Sequence, residues 1–198
     1  VTNDAGSTAN IATLTVTGGG AYAGDITENG TDTLSLSKTT GGILTLSVGS
    51  GTFDGSVNIT GGALAITTSA SLGSATAGTV VDGGTLTLSN INLASSESIS
   101  LTGTGGGSGA LQGSGVSSVA ASNVITLAGN ATIASVGALT INGAIGESGG
   151  ARSLTKSGFG VLTLAGNNSY SGATIVSDGT LAAGAADVLD NRDRKSVV

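Results

Sequence analysis

The sequence contains no cysteine, no histidine and no proline, and its aromatic residues number two tyrosines and two phenylalanines. Each absence removes a class of explanation. Without cysteine there is no disulfide framework and no thiolate metal site. Without histidine the commonest metal ligand and the commonest general base are both gone. Without proline, collagen and polyproline readings fail, although 36 of 198 residues are glycine. Six Lys plus Arg against twelve Asp plus Glu give a net charge of −6, so nucleic acid finds no basic surface and an anionic membrane nothing to attract it. No apolar run approaches the ~20 residues of a membrane-spanning helix, and four aromatics cannot build the two girdles of a transmembrane β-barrel. Neither a nucleic-acid partner nor membrane insertion of this segment is expected. Charged residues make up 9% and hydrophobics 38%, the reverse of a charge-rich disordered chain.

What the sequence has instead is a returning phrase of the form Gly-x-Leu-x-Leu. It appears as Gly42-Ile43-Leu44-Thr45-Leu46, Gly62-Ala63-Leu64-Ala65-Ile66 and Gly84-Thr85-Leu86-Thr87-Leu88. It continues at Gly109-Ala110-Leu111, Gly137-Ala138-Leu139, Gly160-Val161-Leu162 and Gly179-Thr180-Leu181. Successive glycines are 20, 22, 25, 28, 23 and 19 residues apart, a period that marks a solenoid. Within each phrase apolar and polar residues alternate, which sends Leu to one face of a strand and Thr to the other. Stacking like on like predicts one inward ladder of Leu44, Leu64, Leu86, Leu111, Leu139, Leu162 and Leu181. The architecture expected is all-β, a right-handed parallel β-helix of roughly 20–25 residues per coil, roughly nine coils and about 40–45 Å in length. Residues 1–191 are expected to form one continuous body, with a glycine-rich loop near 103–115 and a possible helix only over the alanine-rich stretch from Leu181 to Leu189.

The stretch from Leu154 to Leu181 carries a finer pattern. Lys156, Gly158, Gly160, Leu162, Leu164, Gly166, Asn168, Tyr170, Gly172, Gly179 and Leu181 fall as in the autotransporter-associated β-strand repeat, which this stretch closely resembles. Weaker echoes lie at 34–66, where Leu36-Ser37-Lys38 and Gly41-Gly42 reproduce the opening, and at 123–145. The resemblance implies a passenger of bacterial type V secretion: a β-helical stalk exported across the outer membrane and displayed at the cell surface or released. It further implies a C-terminal translocator barrel in the full-length chain as partner. The repeat itself carries no catalytic residue, so the chain is expected not to be an enzyme, with no catalytic, metal-binding or cofactor-binding residue.

Two other functions compete with a plain stalk. An adhesin would bind glycans or host matrix through an exposed Thr/Asn/Gly face, yet Tyr22, Phe53, Phe159 and Tyr170 are the whole supply of aromatic platforms for sugar. A polysaccharide-active β-helix enzyme would need clustered acids with a base, an Arg or Ca²⁺. Asp54, Asp82, Glu97 and Glu147 stand apart in the sequence, and only folding across turns could unite them. The densest acid group, Asp25, Glu28 and Asp32, lacks the spacing of an EF-hand or a calcium β-roll and reads as a solvated loop. Gly103 to Gly109 is not a phosphate loop, because no Lys-Ser/Thr follows it. Thr13-Leu14-Thr15-Val16-Thr17 and Thr85-Leu86-Thr87 have the local form of a flat threonine array, but most other phrases carry one Thr or none.

Residues 192–198 break the repeat grammar. Asp193-Arg194-Lys195-Ser196-Val197-Val198 resembles the in-frame translation of a sequencing adapter, so the native chain is expected to continue past about Asn191.

Overall fold

Runs such as Leu34-Ser35-Leu36-Ser37, with apolar residues at every second position, fold as short strands that bury one edge. The computed structural model describes residues 2–3, 11–28, 30, 32–47 and 52–184. These form a parallel β-solenoid of about eight turns, and every strand pair is parallel. Eight turns stacked at about 4.8 Å span about 34 Å, one turn fewer than the rhythm predicts. The eight turns are those of the described residues, which end at 184, whereas the rhythm is read over the whole chain.

The rod has three faces. The first contains Ile11–Val16, Thr33–Lys38, Val57–Ile59, Thr79–Asp82, Ser98–Gly103, the start of Val124–Ser135, and Ile145–Glu147. The second contains Gly20–Tyr22, Ile43–Leu46, Ala63–Ile66, Thr85–Ser89, Leu111–Ser114, the end of Val124–Ser135, Leu154–Ser157 and Thr174–Val176. The third holds Asn92–Leu93, Val116–Val119, Ala138–Ile141, Val161–Leu164 and Thr180–Ala183. In the N-terminal turns this third side is irregular and is filled by Ile26, Phe53 and Leu72. The 12-residue strand Val124–Ser135 runs through the corner between the first and second faces without a turn, so these two faces join into one 14-stranded sheet.

The single leucine ladder predicted from the phrase is in fact two. Leu44, Leu64, Leu86 and Leu111 stack on the second face, where the ladder continues through Ile133, Lys156 and Val176. Leu139, Leu162 and Leu181 stack on the third face, below Ser117. The 28-residue step from Gly109 to Gly137 exceeds one turn, and the phrase therefore moves on by a face. Packing tolerates the slip because Leu, Ile and Val are interchangeable on an inward ladder as long as alternation is kept.

Part of the expected loop at 103–115 is strand: Gly103 ends one strand, residues 104–110 form the corner, and Leu111–Ser114 is a further strand. The corner between the same two faces is only 83–84 one turn earlier. The tail at 192–198 and most of the 181–189 stretch lie outside the described residues.

The inward ladders carry the stability. Leu64, Leu86 and Leu111 are fully buried, and each such side chain contributes about 1.5–3 kcal/mol relative to exposure. Leu86→Ala should therefore cost about 2–5 kcal/mol, whereas Val116→Ala, at an exposed outward position, should stay within about 0.5 kcal/mol. Chemical denaturation followed by circular dichroism compares the two.

Candidate functional site

The most unusual side chains in the core are two lysines. Lys38 stands between Val16 and Ile59 in an inward ladder, and Lys156 between Ile133 and Val176. Both are fully buried. An ammonium inside an apolar ladder is tolerable only if its three N–H groups find acceptors, and both lysines find them in the same way. Lys38 Nζ donates to the carbonyl of Thr40, to Gly41 O at 3.2 Å, and to Gly61 O at 3.5 Å in the next turn. Lys156 Nζ donates to Ser157 O at 2.7 Å, Gly158 O at 2.6 Å and, in the next turn, Asp178 O at 3.0 Å. Each ammonium thus ties its own corner to the one stacked on it. Burial lowers the pKa of both, an effect that the Asp178 carboxylate opposes at Lys156.

The surroundings of the two lysines correspond position by position. A buried aromatic ring, Phe53 or Tyr170, fills the interior on the way to the next turn; the Tyr170 hydroxyl bonds Thr174 Oγ1 at 2.8 Å. Two residues on, Gly55 and Gly172 pass against the backbone four residues before the lysine, at Leu34 and Arg152. A Cβ there would lie inside those backbone atoms. At the stacked corner Gly62 and Gly179 adopt φ of +63° and +69° with the preceding corner's carbonyls alongside, a conformation and a proximity that only glycine accepts. Two residues before Tyr170, Asn168 Oδ1 accepts the backbone N–H of Ile145 at 2.9 Å, supplying the hydrogen bond that a regular strand would have made.

A family model, the passenger-associated-transport-repeat, matches residues 36–66 and 154–183. The chain carries this repeat twice. No curated protein and no solved structure matches the chain. Each copy of the passenger-associated-transport-repeat is a two-turn unit that pairs with itself, Leu36 with Val57 and Leu44 with Leu64 in one, Leu154 with Thr174 and Leu162 with Leu181 in the other. The copies do not lie above one another. The first occupies the first and second faces and the second occupies the second and third. The echo at 123–145 lies outside the matched residues. There the chain runs as the continuous strand Val124–Ser135, with Leu127 and Ile133 where a lysine would be needed.

Lys38 and Lys156 were visible in the sequence as motif letters but carried no role. Alternation alone assigns them inward, and a lysine at an inward position is the signal that an acceptor cage must exist.

The scattered acids remain scattered. Among the described residues no three carboxylates come together to hold a metal ion. Glu28 Oε2 accepts from Leu34 N at 2.8 Å, and Asp54 Oδ1 from Ser74 Oγ at 2.7 Å. Glu147 accepts from Ser171 Oγ at 2.5 Å and from Arg152 N at 2.6 Å, and the Ser171 hydrogen bond is the main reason its pKa is lowered. Of the four aromatic residues, Phe53 and Tyr170 are interior, while Phe159 is 91% exposed. The outward threonine array is short: Thr15 is followed on its rung by Ser37, Asn58 and Val80.

Two acids among the described residues are buried, Asp32, which was expected in a solvated loop, and Glu97, which joins neighbouring turns. Glu97 Oε1 accepts from Thr79 Oγ1 at 2.8 Å, its backbone N–H donates to Asn123 Oδ1 at 2.9 Å, and its Oε2 has no hydrogen-bond partner. Burial raises its pKa, and the Thr79 hydrogen bond offsets part of that rise. The folded chain therefore binds this proton more tightly than the unfolded chain. The resulting stability is complete below about pH 4.5, the ordinary value, and is lost as pH rises through the folded pKa. Glu97→Gln should abolish this loss and raise Tm at pH 7 relative to wild type, with the difference closing towards pH 4. Melting curves of both proteins from pH 4 to 8 measure it.

The lysine cages give a second test. Lys156→Met keeps the length and apolar stem but leaves three corner carbonyls without their donor, which should cost about 2–3 kcal/mol. Hydrogen exchange should rise first at Gly160 and Thr180, whose N–H groups bond Ser135 O and Gly160 O of the preceding turns.

Proposed function

We propose that the chain is a non-catalytic structural segment of an autotransporter passenger, a stalk exported to the bacterial cell surface with a translocator barrel elsewhere in its full-length chain. The observation that carries this reading is the paired lysine-clasped unit. Both matches to the passenger-associated-transport-repeat coincide with it, and every group that distinguishes it, lysine, aromatic ring and glycines, is consumed in holding turn on turn. None is left to meet a substrate. Absence of cysteine suits passage through a narrow pore, since no disulfide forms beforehand to obstruct it.

In this reading the rod grows by adding turns to an exposed edge, and each clasp closes as its second turn arrives. Such local, sequential contacts are the kind that a solenoid uses to fold from one end. The test is surface display of the full-length protein, read by protease accessibility on intact cells. Lys38→Met together with Lys156→Met should lower the displayed fraction severalfold at equal expression. Display at the wild-type level, with the purified segment cleaving an acidic polysaccharide such as polygalacturonate, would overturn the proposal in favour of an enzyme.

A further inference from the structure

Outward-facing residues on a solenoid face are ordinarily solvated, but on the second face three of them are sunk. Ala65 is 7%, Thr85 1% and Thr87 9% exposed. Over the two threonines the long corner at 104–110 and Gln112 just after it fold back as a wall. Thr85 Oγ1 donates to Gly105 O at 3.0 Å, Thr87 Oγ1 to Gln112 Oε1 at 3.3 Å, and Gln112 Nε2 to Ser108 O at 3.3 Å. Gly105, Gly106, Gly107 and Gly109 all have φ between +57° and +98°, so the wall's path is open to glycine and to little else. Beside it lies a trough of about 550 Å³ across four consecutive strands, with Thr45, Ala63, Ala65 and Thr87 on its floor and Ser108 and Gln112 also lining it. That volume falls in the range of small-molecule sites.

We propose that this trough binds a neutral oligosaccharide chain lying along the rod axis. Its lining contains no charged residue, which disfavours nucleic acid, acidic glycans and metal ions alike. An extended peptide would seek the free backbone edge of a sheet, and here the floor is a sheet face whose backbone groups are already paired between turns. A neutral sugar matches what is offered. Its ring C–H face sits on the alanine floor, where small side chains allow close approach, and its hydroxyls both donate and accept, as do those of Thr45, Ser89 and Ser108. The Gln112 amide is held by Thr87 and Ser108 and keeps one N–H for the ligand. Hydroxyl-bearing side chains recur at the strand spacing of about 4.8 Å, so a polymer of repeating polar groups can follow the trough from strand to strand. This site needs no aromatic platform, which answers the objection raised by the scarcity of such residues.

The experiment is titration of the ¹⁵N-labelled 198-residue chain with cellohexaose, chitohexaose and maltohexaose, with an oligogalacturonate as the anionic comparison. At least one neutral sugar should shift amide resonances at 43–45, 63–65, 85–89 and 105–112 and saturate in the millimolar range. Ala63→Gln, which places an amide in the trough without touching the core, should weaken binding about tenfold or more. Thr126→Gln, outward on the first face, should change neither binding nor Tm. A lack of shifts with every neutral sugar, shifts mapping elsewhere, binding only by the oligogalacturonate, or full affinity in Ala63→Gln with an unchanged Tm would each overturn the proposal. Surface display is read independently, so failure here leaves the passenger reading standing.

Discussion

Everything in this molecule depends on parallel backbone pairing between one turn and the next, at a spacing that no side chain can alter. Each turn must present its amides and carbonyls to its neighbours in register, so the corners must stack as closely as the strands do. Strands satisfy that spacing without strain. Corners do not, because there the chain bends while the next corner presses against it. The requirement falls on glycine: Gly62 over the carbonyls of Thr40 and Gly42, Gly179 over those of Gly158 and Gly160. At these corners glycine is a consequence of stacking geometry.

The same constraint explains the buried lysines. Corners leave carbonyls pointing inward without strand partners, and the Leu, Ile, Val and Ala side chains that make up most of the interior have no donor to offer them. A lysine at the last inward position of a strand reaches the corner from inside and satisfies three carbonyls in two turns. Burying an ammonium is costly, and the cage is what makes it tolerable. Glu97 is the contrasting case: with one oxygen satisfied and the other without a partner, it keeps its proton more readily than an ordinary carboxyl group.

Variation is confined to corners because the strands cannot absorb it. The corner between the first and second faces shrinks to 83–84 and then swells to 104–110 one turn later; a further turn on, it vanishes into Val124–Ser135. The swollen corner walls a trough, and the vanished one accompanies a shift of the leucine phrase from the second face to the third. Structure and surface chemistry are thereby separated: ladders and clasps hold the rod, and corners decorate it.

Alternation of apolar and polar residues determined the strands, the inward set and the parallel stacking, because a period of two and a period near 22 are both local properties of the chain. The resemblance of 154–181 to a known repeat was likewise complete in the residues themselves. Tertiary structure alone decided which turn pairs with which. Leu111 and Leu139 look equivalent in sequence, yet they sit on different faces, since register is fixed by the sum of corner lengths rather than by any phrase. It alone decided that Gly61 O and Asp178 O of the next turn complete the cages of Lys38 and Lys156, that Glu97 meets Thr79 and Asn123, and that Thr87 lies sunk beside Gln112. Those groups are 18 to 26 residues apart, and only the closing of a turn brings them within hydrogen-bonding distance.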